Sequence, residues 1–93
     1  MEELIPTEYY LSQNHPDPFK KKTIIKYCLP EEVNVKLEVF DYEKRKVKTL
    51  VDEYKEPGTY QVEFKPKGIN EGIYLYQLTA GCHSIVRKML LLK

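Results

Sequence analysis

The sequence contains no tryptophan and only one alanine, Ala80, among its 93 residues. Alanine is the strongest helix former, whereas tyrosine, phenylalanine and the β-branched residues favour strands, and this chain has eight tyrosines and three phenylalanines. The composition therefore argues against a helical bundle and predicts an all-β domain. A chain this short forms one small domain, which makes a large enzyme site with several catalytic loops improbable on size alone.

Excess charge of one sign is also lacking. The 15 basic residues nearly balance the 14 acidic ones, and the formal net charge is +1. No overall field attracts nucleic acid or a membrane surface, so we expect no nucleic-acid partner. The longest apolar run, "MLLL" at 89–92, is far shorter than the roughly 20 residues of a membrane helix, so no membrane insertion is predicted. The opening "EELIPTEYY" has no basic and apolar regions of the kind that make a signal peptide.

Cysteine is scarce, and its spacing excludes the common metal sites. Cys28 and Cys82 do not form a C-x-x-C pair, and adding His15 and His83 produces no standard zinc spacing. We predict separately packed thiols rather than a disulfide. Cys82 and His83 are adjacent and would point to opposite faces of a continuing strand, which argues against a nucleophile–base pair. The sequence therefore predicts no catalytic site, no metal and no cofactor.

Alternation of apolar and polar residues dominates what is present. It predicts strands in "TIIKYCLP", "VNVKLEVFD", "GTYQVEF", "GIYLYQLTA" and "HSIVRKMLLLK", with turns at Pro57-Gly58, Asn70–Gly72 and Gly81. "VKTLVDE" is predicted as a short strand, although Val47 and Leu50 are also three apart, as in a helical turn. The segment 73–80 carries almost no charge, which predicts a central strand covered on both faces. These elements predict an immunoglobulin-like antiparallel β-sandwich of about seven strands, with 1–10 as a lead-in segment and 11–93 as the domain.

The stretch "NHPDPF", 14–19, precedes the first good strand. Pro16 and Pro18 fix the backbone and deliver Phe19 in a defined direction without sheet hydrogen bonds, so that its ring caps one open end of the sandwich. Lys20, Lys21 and Lys22 follow at once. A solvated edge that blocks strand pairing is the simpler interpretation of these lysines, and contact with an acidic partner such as lipid phosphate is the alternative.

Five segments together resemble a known family. "LSQNHPDPFKKKTIIKYCLP", "VKLEVFDYEKRKVKTLVD", "GTYQVEF", "GIYLYQLTAG" and "KMLLLK" occur in the order typical of C-terminal sorting domains of the type IX secretion system, across residues 11–93. That class is similar to the Ig-like domain of the flagellar hook-capping protein. The resemblance implies a C-terminal address on an exported cargo, read in folded form by outer-membrane secretion machinery. It further implies removal by a sortase-like surface enzyme, joining of the cargo to lipopolysaccharide, and location at the cell surface or outer membrane.

The resemblance also assigns residues to roles. The structural motif comprises Asn14, Pro16, Pro18, Phe19, Gly58 and Tyr60, and the partner-recognition set comprises Gly72, Tyr74, Tyr76, Lys88 and Lys93. This chain has lysines at 20–22 where the family has an asparagine-proline-serine run. It has Glu43 and Lys44 where a turn glycine is usual, which predicts a looser or differently shaped loop. Lys93, with its own carboxylate, is expected to end a paired strand that a receptor could recognise; an ordinary edge strand closed by charge is the alternative.

The resemblance also implies a cargo domain joined covalently before the sorting domain, and no such domain is present in this sequence. A sorting domain normally follows its cargo, whereas the match begins ten residues after Met1, which leaves open an excised domain or a small standalone protein. The alternative function is a structural or adhesive Ig-like accessory module with no sorting role. A third hypothesis is a small protein that oligomerises through an exposed edge.

Overall fold

The computed structural model describes residues 6–93 and, over that range, contains seven strands and no helix. Their bounds are β1 Tyr10–Leu11, β2 Thr23–Leu29, β3 Val33–Asp41, β4 Lys46–Lys55, β5 Gly58–Phe64, β6 Gly72–Ala80 and β7 His83–Leu91. A membrane-crossing helix is accordingly not found among these residues. Residues 1–5, the first half of the predicted lead-in segment, lie outside the described residues. The predicted all-β class is confirmed.

The strands form two antiparallel sheets that face each other across one core. The smaller sheet has the order β1-β2-β5, and the larger has the order β4-β3-β6-β7. Alternate residues of each inner strand point into the core because side chains in a strand alternate between faces. The buried residues include Ile25, Tyr27 and Leu29 of β2, Val35, Leu37 and Val39 of β3, and Tyr74, Tyr76 and Leu78 of β6. This arrangement confirms the predicted β-sandwich and the predicted inward faces.

Strand β4 resolves the ambiguity between strand and helix in "VKTLVDE". It runs from Lys46 to Lys55, longer than predicted, and its pairing with β3 shifts register twice. Leu37 and Glu38 of β3 pair with Val51 and Thr49, so Leu50 is an extra residue; the second shift leaves Val47 extra in the same way. The three-residue spacing of Val47 and Leu50 therefore reflects two β-bulges, which also bend an edge strand away from edge-to-edge pairing.

The prediction that β6 is covered on both faces is wrong. Tyr74, Tyr76 and Leu78 are buried against the smaller sheet, but Ile73 on the opposite face is 43% exposed. The strand is central in its sheet, between β3 and β7, as expected. A two-layer sandwich has only one interior, so the apolar residues on the outer face of β6 have no layer to cover them.

The turn between β3 and β4 is tight, so of the two expected alternatives, a looser or a differently shaped loop, the looser loop is wrong. The Asp41 carboxylate accepts hydrogen bonds from the backbone N–H groups of Glu43 and Arg45, both at 2.9 Å. Arg45 also donates from Nε to Asp41 at 3.1 Å. Lys44 adopts a positive φ of 68°, the region where glycine is favoured. The side chain of Asp41 thus holds a turn that a glycine would form without strain.

Residues 10–19 pass from one sheet to the other. Tyr10 and Leu11 pair with β2 of the smaller sheet, whereas Phe19 forms a parallel bridge with Leu91 of the larger one. The Phe19 ring is buried and lies 6.1 Å, centroid to centroid, from the ring of Phe64. The predicted packing role of Phe19 is confirmed, but it does make sheet hydrogen bonds, because the crossing brings its backbone beside the otherwise unpaired edge of β7.

Candidate functional site

The outer edge of the C-terminal strand β7 is covered by residues 13–19, which we call the edge cap. Phe19 donates its backbone N–H to the carbonyl of Leu90 at 3.0 Å, and its carbonyl accepts the N–H of Leu92 at 2.8 Å. The Leu90 N–H donates to the Asp17 carboxylate at 3.0 Å, and Gln13 Nε2 donates to the Lys88 carbonyl at 2.6 Å. The Phe19 backbone therefore bonds the edge of β7 near Leu90, and the side chains of Asp17 and Gln13 bond the same edge as far as Lys88.

Asn14 organises the edge cap from within. Its side chain is buried, and Nδ2 donates to the carbonyl of Pro16 at 3.1 Å and to Thr23 Oγ1 at 3.0 Å. Thr23 is buried too, and its hydroxyl donates to the same Pro16 carbonyl at 2.9 Å. Oδ1 of Asn14 accepts from Gln13 at 2.7 Å. The amide thus satisfies the Pro16 carbonyl and links it to the side chains of Thr23 and Gln13, a structural role of the kind that the resemblance assigns to Asn14.

Tyr76 joins the edge cap to the centre of the larger sheet. Its hydroxyl donates to the Ser12 carbonyl at 2.6 Å and accepts the Asn14 N–H at 2.8 Å. Burial raises its pKa to about 12, because the phenolate would lose its hydration. The ring is fully buried. A partner docking on the folded domain does not touch Tyr76, so any part it takes in recognition operates through the backbone that it positions.

Gly58-x-Tyr60 and Gly72-x-Tyr74 form the same local arrangement at two places. Tyr60 donates its hydroxyl to the Glu56 carbonyl at 2.7 Å, and Tyr74 donates to the Asn70 carbonyl at 2.6 Å, in each case four residues back. The glycines have φ values of 152° and 146°, which side-chain-bearing residues rarely adopt. Each hydroxyl bonds the turn before its strand, and each glycine provides the positive φ at which that strand begins.

Lys88 and Lys93 are exposed, unlike the two tyrosines of the predicted recognition set. The side chain of Lys88 lies on the outer face of β7, and its own backbone carbonyl accepts the hydrogen bond from Gln13. Lys93 follows the end of β7 and lines an open cleft of about 560 Å³ together with Lys20 and Lys21. The structure therefore separates the set into buried Tyr74 and Tyr76 at the core, Gly72 at a turn, and two lysines on the surface.

The residues considered for catalysis are dispersed. Cys28 is half-buried in β2, and Cys82 is exposed in the turn before β7; both are free. The ring of His83 stacks on Tyr9 with centroids 4.1 Å apart. Tyr9 donates to Glu31 at 2.7 Å, and this hydrogen bond to a carboxylate raises the Tyr9 pKa to about 12. Across residues 6–93, no three His, Cys, Asp or Glu side chains gather in a way that could hold a metal ion.

Gln13, Asp17 and Thr23 were not predicted as site residues. Thr23 lies on the same face as Ile25, Tyr27 and Leu29, so its burial follows from the alternation of β2. The position of its partner Asn14 does not follow from a local pattern, because the contact between Asn14 and Thr23 depends on how the edge cap packs against the sandwich. Gln13 precedes the prolines and Asp17 lies between them, without a distinguishing pattern, and only the tertiary structure shows that they reach β7.

Comparison with known proteins agrees with this arrangement. Residues 14–92 match the family model described as "Secretion system C-terminal sorting domain". No curated protein matches the chain. The matched range begins at Asn14, the second residue of the edge cap, and includes all of β2 to β7. The chain therefore belongs to the family of C-terminal sorting domains of the type IX secretion system, a non-catalytic family whose members act as sorting signals.

Proposed function

We propose that this domain directs an attached cargo to the cell surface or outer membrane through recognition of its folded C-terminal strand. The observation that carries the proposal is the edge cap. Gln13 and Phe19 donate hydrogen bonds to residues 88–92, and Asp17 and Phe19 accept hydrogen bonds from them, which holds this end of the chain in one defined conformation. Such an ordered surface suits a receptor that reads a folded signal, because the binding partner does not have to supply the free energy of ordering it.

In this proposal, Lys88 and Lys93 contact the outer-membrane secretion machinery directly, and Tyr74, Tyr76 and Gly72 support the surface from below. Both lysines are exposed, and neither is engaged in an ion pair within residues 6–93. A sortase-like surface enzyme then separates the domain from the cargo. Residues 11–93 constitute the transferable unit, and the cargo is joined to their N-terminal side.

A secretion assay tests the proposal. A reporter with a signal peptide is fused to residues 6–93 and expressed in a host that has a type IX system, beside the same reporter without the domain. We expect surface delivery of the fusion alone. Deleting 88–93 is a poor probe because it removes Met89 and Leu91 from the core. The double variant K88Q/K93Q keeps the core, and we expect it to lower delivery by roughly tenfold if each lysine contributes as a partner-contacting charge.

The matched control is K26Q/K36Q, which removes two exposed lysines from β2 and β3. Its delivery should equal that of the wild type. Equal delivery with and without the domain would reject the sorting role and favour an accessory module. If K88Q/K93Q and K26Q/K36Q lower delivery equally, Lys88 and Lys93 are rejected as the partner contacts, and the sorting role stands.

A further inference from the structure

The two outer faces of the sandwich differ. In the smaller sheet, the exposed residues of β5, Thr59, Gln61 and Glu63, are all polar, and the apolar side chains of Tyr10 and Ile24 lie apart on either side of Lys26. In the larger sheet, five apolar side chains cluster on the outward face, and we call them the Leu75 patch: Phe40, Ile73, Leu75, Val86 and Leu90. Three of them are strongly exposed, Ile73 at 43%, Val86 at 54% and Leu90 at 36%. Contiguous exposed apolar side chains on a small soluble domain indicate an interaction surface.

Strand register makes the Leu75 patch continuous. Leu75 pairs with Phe40 of β3 on one side and with Lys88 of β7 on the other, and Ile73 pairs with Leu90. Directly paired and diagonal side chains on one face lie within contact range. Phe40, Leu75 and Val86 line a shallow concavity of about 370 Å³, with Gln77 and Lys44 at its margin. The other half of the same face, at Asn34, Lys36 and Ser84, is polar.

The rim of the Leu75 patch is cationic. Lys44 and Lys88 form no ion pair within residues 6–93. Lys46 pairs with Glu38 at 3.3 Å, and the neighbouring carboxylates of Asp41 and Glu43 both pair with Arg45. The local carboxylates are thus matched by other cations, which leaves two free ammonium groups around an apolar centre.

We infer that the Leu75 patch is the docking face for a protein loop of the secretion machinery that offers an apolar side chain flanked by carboxylates. This inference rests on the proposed function. The concavity accepts a side chain, and the two free ammonium groups complement acidic neighbours. A second copy of the chain would present the same cationic rim and meet like charge. A membrane surface offers no single side chain to fill a concavity, whereas a loop does, and here Phe40 and Leu75 are half-buried and line one beside the exposed Val86.

Opposite charges placed at one position test the docking face. Val86 is exposed, so V86E and V86K should both fold, and both remove the same apolar contact. In the reporter fusion to residues 6–93, we expect V86E to lower surface delivery by roughly tenfold or more, and V86K by about threefold or less, because only glutamate repels the acidic partner. K88E should behave like V86E. K36E, a charge reversal on the polar half of the same face, should match the wild type. Urea midpoints followed by circular dichroism verify that all variants are folded.

Each other outcome overturns part of the inference. If the V86E fusion is delivered as well as the wild-type fusion, the docking face is rejected and the sorting role stands. If the wild-type fusion is not delivered to the surface, both the docking face and the sorting role are rejected. Equal losses for V86E and V86K reject the acidic character of the partner. Purified domain is also mixed with phosphatidylglycerol vesicles and sedimented alone at high concentration. Vesicle binding or dimerisation that V86E abolishes would identify a lipid surface or a second copy as the occupant instead.

Discussion

The carboxylate of Asp17 accepts a hydrogen bond from the backbone N–H of Leu90 at 3.0 Å, although the two residues are 73 positions apart in the chain. Leu90 lies in the last strand, and Asp17 lies between the two prolines of the edge cap. A segment near the N-terminal end of the described chain therefore holds its last strand. It is one of the hydrogen bonds that join the edge cap to residues 88–92, together with those of Gln13 and of the Phe19 backbone.

Substituting Asp17 should loosen β7 locally. In D17A the Leu90 N–H loses its acceptor, at a cost of about 1 kcal/mol, because a net protein hydrogen bond at a partly exposed site has that magnitude. Amide hydrogen exchange should therefore accelerate at Leu90 and Leu92 by roughly five- to tenfold, with amides of β3 little changed. D52A removes an exposed carboxylate from β4 and is the control. Equal exchange at Leu90 in D17A and wild type would show that Asp17 does not hold the strand.

Removing the Tyr76 hydroxyl should cost more than removing that of Tyr74. Y76F leaves the Ser12 carbonyl and the buried Asn14 N–H without their partner, whereas Y74F frees only the Asn70 carbonyl. We expect the free energy of unfolding to fall by about 2 kcal/mol in Y76F and by about 1 kcal/mol in Y74F. Urea denaturation followed by circular dichroism measures both. A reversed order would mean that the edge cap contributes little to global stability.

Glycine at position 44 should stabilise the domain. Lys44 is strained at φ 68°, and K44G relieves that strain at the cost of some chain entropy in the unfolded state, for a net gain of about 0.5–1 kcal/mol. E43G is the neighbouring control, since Glu43 is not among the residues with positive φ, and it should lose about that amount. Thermal denaturation of the three proteins decides the matter. A lower melting temperature in K44G would indicate that the Asp41 turn needs a lysine for another reason.

Acid should weaken the turn held by Asp41. Hydrogen bonds from the backbone N–H of Arg45 and then of Glu43 lower the Asp41 pKa below its ordinary value of 3.8, despite an opposing effect of burial. A lowered folded-state pKa stabilises the fold above the unfolded-state pKa, and this contribution disappears as pH falls through the folded-state value. The stability advantage of wild type over D41N should therefore be full at pH 6 and shrink steadily below pH 4. Urea midpoints at a series of pH values measure it; an advantage independent of pH contradicts this role.

The first described residues should add stability without being essential. A chain of residues 11–93 lacks the stack of Tyr9 on His83 and the pairing of Tyr10 with Cys28. We expect it to fold, and to be less stable than residues 6–93 by about 1–2 kcal/mol. Y9L, which keeps an apolar side chain but removes the ring and the bond to Glu31, should account for about half of the difference. An unfolded 11–93 chain would move the domain boundary toward the N-terminus.

Much of the fold follows from local pattern. The alternation in "TIIKYCL" and "VNVKLEVF" specifies which side chains face inward, and the glycines at 58 and 72 mark where strands begin. The β4 pattern was ambiguous because bulges place Val47 and Leu50 outside the regular register. The outer face of β6 was misjudged because an uncharged strand looks the same whether one face or both are covered. Those features depend on neighbouring strands, which the local pattern does not identify.

The sequence by itself determined the strands of this β-sandwich and which of their side chains face inward, because residue alternation and turn residues act over a few neighbouring positions. Membership of the sorting-domain family rests instead on the match of residues 14–92 to the family model. Only the tertiary structure decided that Gln13 and Asp17 hold the edge of β7, that Tyr76 bonds Ser12 and Asn14, and that five apolar residues remain on one outer face. These contacts join residues more than 60 positions apart or lie across three strands. The hydrogen bonds exist because residues 10–19 cross between the sheets, whereas the apolar residues stay exposed because a two-layer sandwich has no further layer to cover them.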